Sequence, residues 1–116
     1  KLLLGYNIFE RIAKEGRKYG IILGLITQRP SELSTTALSQ CSNFITFRMF
    51  HPTDLEIISS ISSNVDSGVI EKLKSLVPGI AMVFGISFKI PLLVRLDLPN
   101  PMPESTNIDI EHCWFK

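Results

Sequence analysis

The stretch GIILGLITQRP, Gly20–Pro30, decides how the chain is read. From Gly20 to Ile26 every residue is apolar or glycine, and Ile21, Ile22 and Ile26 are β-branched. An unbroken apolar run, unlike an alternating one, is expected of a strand covered on both faces, as in a parallel sheet. Gly20 and Pro30 bound it, as turn residues bound strands. The run stops on Thr27, Gln28 and Arg29. In open α/β sheets ligands sit outside the carboxyl ends of the strands, so this ending puts Gln28 and Arg29 where a phosphate or a reacting water would lie. Every strand must end in something, and ordinary loop residues would read the same way. The helix before it is what weights the first reading.

That helix is NIFERIAKEGRKY, Asn7–Tyr19. At 100° per residue Ile8, Phe9, Ile12, Ala13, Gly16 and Tyr19 share one face, and Glu10, Arg11, Lys14, Glu15 and Lys18 share the other. Asn7 fits an N-cap and Gly20 a stop. Arg17 plots at the border of the two faces, one turn from the helix end. From there its guanidinium can reach a neighbouring surface, and its planar fork suits phosphate oxygens. A snorkelling surface arginine is the alternative. Arg11, Lys14 and Lys18 fall within a narrow arc, which suits contact with DNA phosphates if that face lines a pore. A solvated face is the competing account, since Glu10 and Lys14 form a favourable i,i+4 pair.

Beyond Pro30 the chain alternates. RPSELSTTALSQC gives a loop with one or two short helical pieces, Ser31 capping one turn and Ser34 or Thr35 another through Gln40. NFITFRMF reads as a strand. HPTDLEIISSI reads as a helix started by Pro52 and Thr53. DSGVIEKLKSL is a second amphipathic helix, with Val69, Ile70, Leu73 and Leu76 on its buried side. IAMVFG and IPLLVRLDL are close enough to pair as a hairpin. From Pro99 the chain is proline-rich and acidic, a surface tail. Alternating helix and strand favour an α/β fold.

With 116 residues, 45% hydrophobic and 20% charged, this is one ordinary globular domain with a real core. The net charge of +1 hides an asymmetry: residues 1–48 carry +4 and residues 49–116 carry −3. A polyanion would be met at the front. Two cysteines are too few for a disulfide scaffold or a structural zinc site, so a reducing cytoplasm is expected. His51, His112 and Cys113 form no ligand pattern, and the serines from Ser59 to Ser63 lack a nucleophile-elbow context. No run reaches the ~20 apolar residues of a membrane span. Trp114 and Phe115 either dock on the body or form a hook for a partner.

RIAKEGRKYGIILGLITQRPSELSTTALSQCSNFI, continued by PGIAMVFG and KIPLLVRLDLPNPMP, resembles the C-terminal part of the HerA/FtsK-type hexameric ATPases, nearest the HerA-like DNA translocases. The resemblance implies an α/β, RecA-like P-loop ATPase core, mostly parallel sheet with flanking helices, ending in a β-hairpin. It implies a ring of six around double-stranded DNA, with ATP and Mg2+ at subunit boundaries. Arg17 resembles the family's arginine finger, and Gln28 its sensor glutamine, which orients the attacking water or reports the γ-phosphate. Arg29 shares the QRP signature and is expected to contact the nucleotide. The family glycine before an acidic residue is followed here by Ile80, a departure at a packing or subunit contact.

Other parts of the family's machinery are not in this sequence. No GxxxxGK[ST] occurs, and no apolar strand ends in the Asp or Glu that would hold magnesium. The expectation is therefore a C-terminal piece of a longer ATPase: residues 1–98 the end of the RecA-like domain, residues 99–116 the tail. Alone it should neither bind nor hydrolyse ATP. The parent would work with a nuclease or other effector. The alternative, from a different class, is a non-catalytic oligomerisation or protein-interaction module.

Overall fold

The computed structural model describes residues 8–104. The expected cap at Asn7, His112, Cys113 and the Trp114–Phe115 pair lie outside the described residues. In order the elements are α1 (Ile8–Glu15), a 3-10 turn (Gly16–Tyr19), a second 3-10 turn (Pro30–Glu32), α2 (Thr35–Gln40), β1 (Asn43–Thr46), α3 (Pro52–Ile61), α4 (Ser67–Lys74), β2 (Ile80–Gly85) and β3 (Leu92–Arg95). The fold is mixed α/β, with no helix among the described residues long and apolar enough to cross a membrane.

Local chemistry sets most of these boundaries. Pro52 opens α3 at a position whose N–H would be unsatisfied anyway. Ser34 and Asp66 cap α2 and α4, accepting from the N–H of Ala37 at 3.2 Å and of Val69 at 3.0 Å. Gly20, with φ 72°, ends the first helical segment in the left-handed conformation.

The sheet is three-stranded, in the order β1-β2-β3, and antiparallel throughout. β1 meets β2 in the register Phe44 opposite Phe84 and Thr46 opposite Met82. β2 meets β3 with Ala81 opposite Val94 and Val83 opposite Leu92, the expected hairpin. Alternation along β2 sends Met82 and Phe84 into one core with Leu55 and Ile58 of α3, Val65, and Leu73 and Leu76 on and after α4. Phe44 stacks on Phe84 with ring centres 5.2 Å apart. At the end of β2, Gly85 has φ 137°, and a Cβ there would lie 2.3 Å from the Ser42 carbonyl oxygen. Only glycine allows the strands to approach that closely.

The run at Ile21–Thr27 departs from the expectation of a buried parallel strand. It forms no regular element and joins no ladder with any described residue. Ile22 is 95% and Ile26 101% exposed. A strand is completed by neighbours that take up its N–H and C=O groups and by layers over both faces. The described residues supply neither, and the sheet that forms is built instead around β2. The apolar face of α1 is only partly covered: Ile12 and Ala13 are half-buried, while Ile8 and Phe9 are exposed.

Candidate functional site

Gly16 ends α1 and starts the 3-10 turn that carries Arg17 and Lys18. It is buried, and Ile21 folds back on it: the Ile21 N–H donates to the Gly16 carbonyl at 3.0 Å, and a Cβ on Gly16 would lie 3.2 Å from that of Ile21. Position 16 thus brings the beginning of the apolar run against the helix end. The change from 3.6 to 3.0 residues per turn moves Arg17 and Lys18 off the arc that uniform helical spacing gives them. Arg17 is solvent-facing.

At the other end of the run the polar residues are organised. Gln28 lies in a bend and is exposed. The Arg29 N–H donates to Thr27 Oγ1 at 3.0 Å, closing the backbone around Gln28. The Arg29 side chain turns to α3, where its Nε donates to Asp54 Oδ2 at 2.9 Å. The Ser31 N–H donates to the other oxygen of Asp54 at 3.0 Å. Arg29 Nη1 also stands 4.0 Å from the exposed Glu32 carboxylate. Asp54 is 2% exposed, so its charge survives burial only because both oxygens are occupied. Hydrogen bonding from the Ser31 hydroxyl, with its N–H and the Arg29 guanidinium, holds the Asp54 carboxyl below the usual carboxylate range against the opposing effect of burial.

The two ends of the run share one scaffold. Glu10 of α1 accepts a short hydrogen bond from the Ser34 hydroxyl, which itself caps α2. α1 is therefore tied to the segment that follows the QRP turn. Of the basic arc, Arg11 Nε lies 3.5 Å from Glu15, an i,i+4 ion pair on the exposed face of α1. Lys14 and Lys18 are exposed.

Chemically, the two ends of the run offer an exposed guanidinium, Arg17, and an exposed carboxamide, Gln28, each able to meet an anion. Nothing among the described residues resembles a metal site, since no group of three His, Cys, Asp or Glu comes together. His51 is exposed beside the first turn of α3 and makes no capping bond there. Burial pushes the Cys41 thiol up, which disfavours a reactive thiolate. Two surface depressions, one lined by Phe47, Arg48 and Leu76–Pro78 and the other by residues of α3 and α4, include none of Arg17, Gln28 and Arg29. Asp54 was invisible to sequence reading because its partners lie 25 and 23 residues away. The only local signal was an acid in the first turn of a helix, a position that serves many ends.

No protein-family profile matches the chain. Individual proteins do. A probable helicase of Methanocaldococcus jannaschii is 36% identical over 110 residues, 95% of this chain and 21% of the relative. The DNA double-strand break repair helicase HerA of Saccharolobus solfataricus is 40% identical over 106 residues, 91% of this chain and 21% of the relative. The chain spans about a fifth of the length of each. Among solved structures, the genome packaging NTPase B204 from Sulfolobus turreted icosahedral virus 2, in complex with AMPPCP, superposes with a TM-score of 0.65 at 24% identity, covering 77% of this chain and 44% of that one. The mixed α/β fold is thus that of an NTPase, and over the length it has, the chain belongs with the HerA-like helicases.

Proposed function

We propose that the chain is the C-terminal part of the RecA-like ATPase domain of a HerA-like hexameric translocase, supplying Arg17 as arginine finger and Gln28 as sensor. The observation that supports this best is the run between them. Ile21–Thr27 is sequence built for the inside of a sheet, yet it lies exposed and without a ladder, and Arg17 and Gln28 flank it. Parallel strands on its two edges, contributed by the rest of the domain, would cover it and leave Gln28 at the sheet's carboxyl edge, with Arg17 at the opposite end of the run, where it is free to meet a neighbouring subunit.

In this reading ATP, bound in a phosphate loop outside these residues, supplies the γ-phosphoryl group. Arg17, acting on the site of the adjacent subunit, stabilises negative charge as it develops there, an effect worth ~10³-fold or more in rate. Gln28 holds the attacking water in line through its carboxamide. Arg29, with Nε engaged by Asp54, directs its terminal nitrogens to the nucleotide. Among the described residues no carboxylate set comes together that would hold magnesium. Arg11, Lys14 and Lys18 face the phosphates of duplex DNA in the pore. Residues 1–98 complete the ATPase domain and residues 99–116 form the tail. The parent works in the cytoplasm, with a nuclease or other effector, and the piece alone is inactive.

The test is Arg17→Ala in the full-length protein, which should abolish hydrolysis while ATP still binds. Retained turnover removes the assigned role. A second reading, a non-catalytic oligomerisation or interaction module, is favoured by the exposed Ile8 and Phe9 of α1. Mixed rings separate the two. An Arg17→Ala subunit should restore turnover beside a subunit lacking its phosphate loop if the finger acts across the boundary. Intact rings without complementation favour the assembly reading.

A further inference from the structure

Asp54 is the only charged side chain among the described residues that is nearly withdrawn from water, at 2% exposure. Neither the finger nor the sensor is made from it. Desolvating a carboxylate costs several kcal/mol, and an apolar residue of similar size would serve packing at least as well. The geometry of its bonds points to another use. One oxygen holds the Arg29 Nε and the other the Ser31 N–H, two residues further along the same turn. With the Arg29 N–H on Thr27 Oγ1, the backbone on both sides of Gln28 is fixed to groups other than Gln28 itself. The anchor is rigid, because Asp54 lies in the first turn of α3 between Pro52 and the core residue Leu55.

We propose that Asp54 is a positioning residue for the nucleotide site: by gripping Arg29 and Ser31 it sets the turn that presents the Gln28 carboxamide, and it orients the Arg29 guanidinium by occupying Nε. This rests on the reading of Gln28 as the sensor. A side chain that must place a water within hydrogen-bonding distance of a phosphorus centre tolerates little displacement, and ~1 Å of misplacement can cost ~10²-fold in rate. An exposed bend on an unsupported loop would not hold that tolerance. The Asp54 grip supplies the support from behind, without touching substrate.

The experiment is a double-mutant cycle on ATP hydrolysis in the full-length protein, with ring assembly followed in parallel. Asp54→Asn should lower kcat by ~10- to 10²-fold, leave KM for ATP within ~3-fold, and leave the rings intact. In a Gln28→Ala background it should cause no further loss, because it acts through Gln28. Arg29→Lys, made on the half-exposed side of the pair, breaks the same grip at less risk to folding and should show the same loss of kcat through Gln28, any added rise in KM for ATP reporting the contact of its terminal nitrogens with the nucleotide. Losses that multiply with Gln28→Ala for both variants mean a merely structural carboxylate and overturn the proposal, as does full activity of both. If Gln28→Ala itself turns over normally, the sensor reading falls, and this proposal with it. Loss of activity in Gln28→Ala with independent effects at Asp54 and Arg29 leaves the sensor and removes only the positioning role.

Discussion

Two apolar runs in this chain, similarly hydrophobic, have opposite fates. Ile80–Gly85 becomes the central strand, paired on both edges, with Ala81, Met82, Val83 and Phe84 all at 5% exposure or less. Gly20–Thr27 joins no ladder among the described residues and leaves Ile22 and Ile26 almost fully in solvent. Hydrophobicity and β-branching give a segment strand propensity. Whether it becomes a strand depends on neighbours that occupy its edges and faces, and those are properties of the rest of the molecule. The second run is accordingly the part of the chain that most resembles an unfinished interface.

The largest expected effects lie in the completed region. Phe84→Ala removes a fully buried ring stacked on Phe44 and should destabilise the chain by ~3–5 kcal/mol in urea denaturation. Gly85→Ala should cost ~2 kcal/mol or more, because the new methyl group meets the Ser42 carbonyl at positive φ. A loss below ~1 kcal/mol for either would mean that β2 is not the organising strand.

Asp54→Asn lies between the two regions and should cost ~1–3 kcal/mol at neutral pH. Its pH dependence has a definite sign. A carboxyl whose folded pKa lies below its unfolded value, about 3.9, contributes stability that is complete above the unfolded value and is lost as pH falls through the folded one. The difference between the natural chain and Asp54→Asn should therefore be constant near neutrality and shrink in acid. A difference that grew in acid would contradict the pairing with Arg29 and Ser31.

The smallest effect belongs to the exposed run. Ile22→Ala should change the stability of this chain by less than ~0.5 kcal/mol, whereas in the full-length protein the same substitution should cost ~2 kcal/mol or more once the run is covered. Equal effects in both would remove the distinction between the two runs.

Much of the fold was legible because its signals are local. Pro52, Ser34 and Gly20 mark helix ends through signals that span at most a few residues. The hairpin was legible because β2 and β3 are near in sequence and both apolar. The strand expected at Gly20–Thr27 shows the limit, since its propensity is written in the residues while its partners are not. Arg17 and Gln28 were singled out through their place in a motif, and both are exposed. The support beneath them was not found. Nothing in the order of residues couples Arg29 to Asp54 across 25 positions until α3 is folded against the turn.

Backbone hydrogen exchange across the two runs tests the central claim most directly, that Gly20–Thr27 is a strand completed only within a longer ATPase. In the 116-residue chain the amides of Ala81–Phe84 should be strongly protected, while those from Ile22 to Thr27 exchange near the rate of an unstructured peptide. In the full-length HerA-like protein both sets should be protected. Slow exchange of Ile22–Thr27 in the short chain, or fast exchange in the full-length protein, would contradict the account.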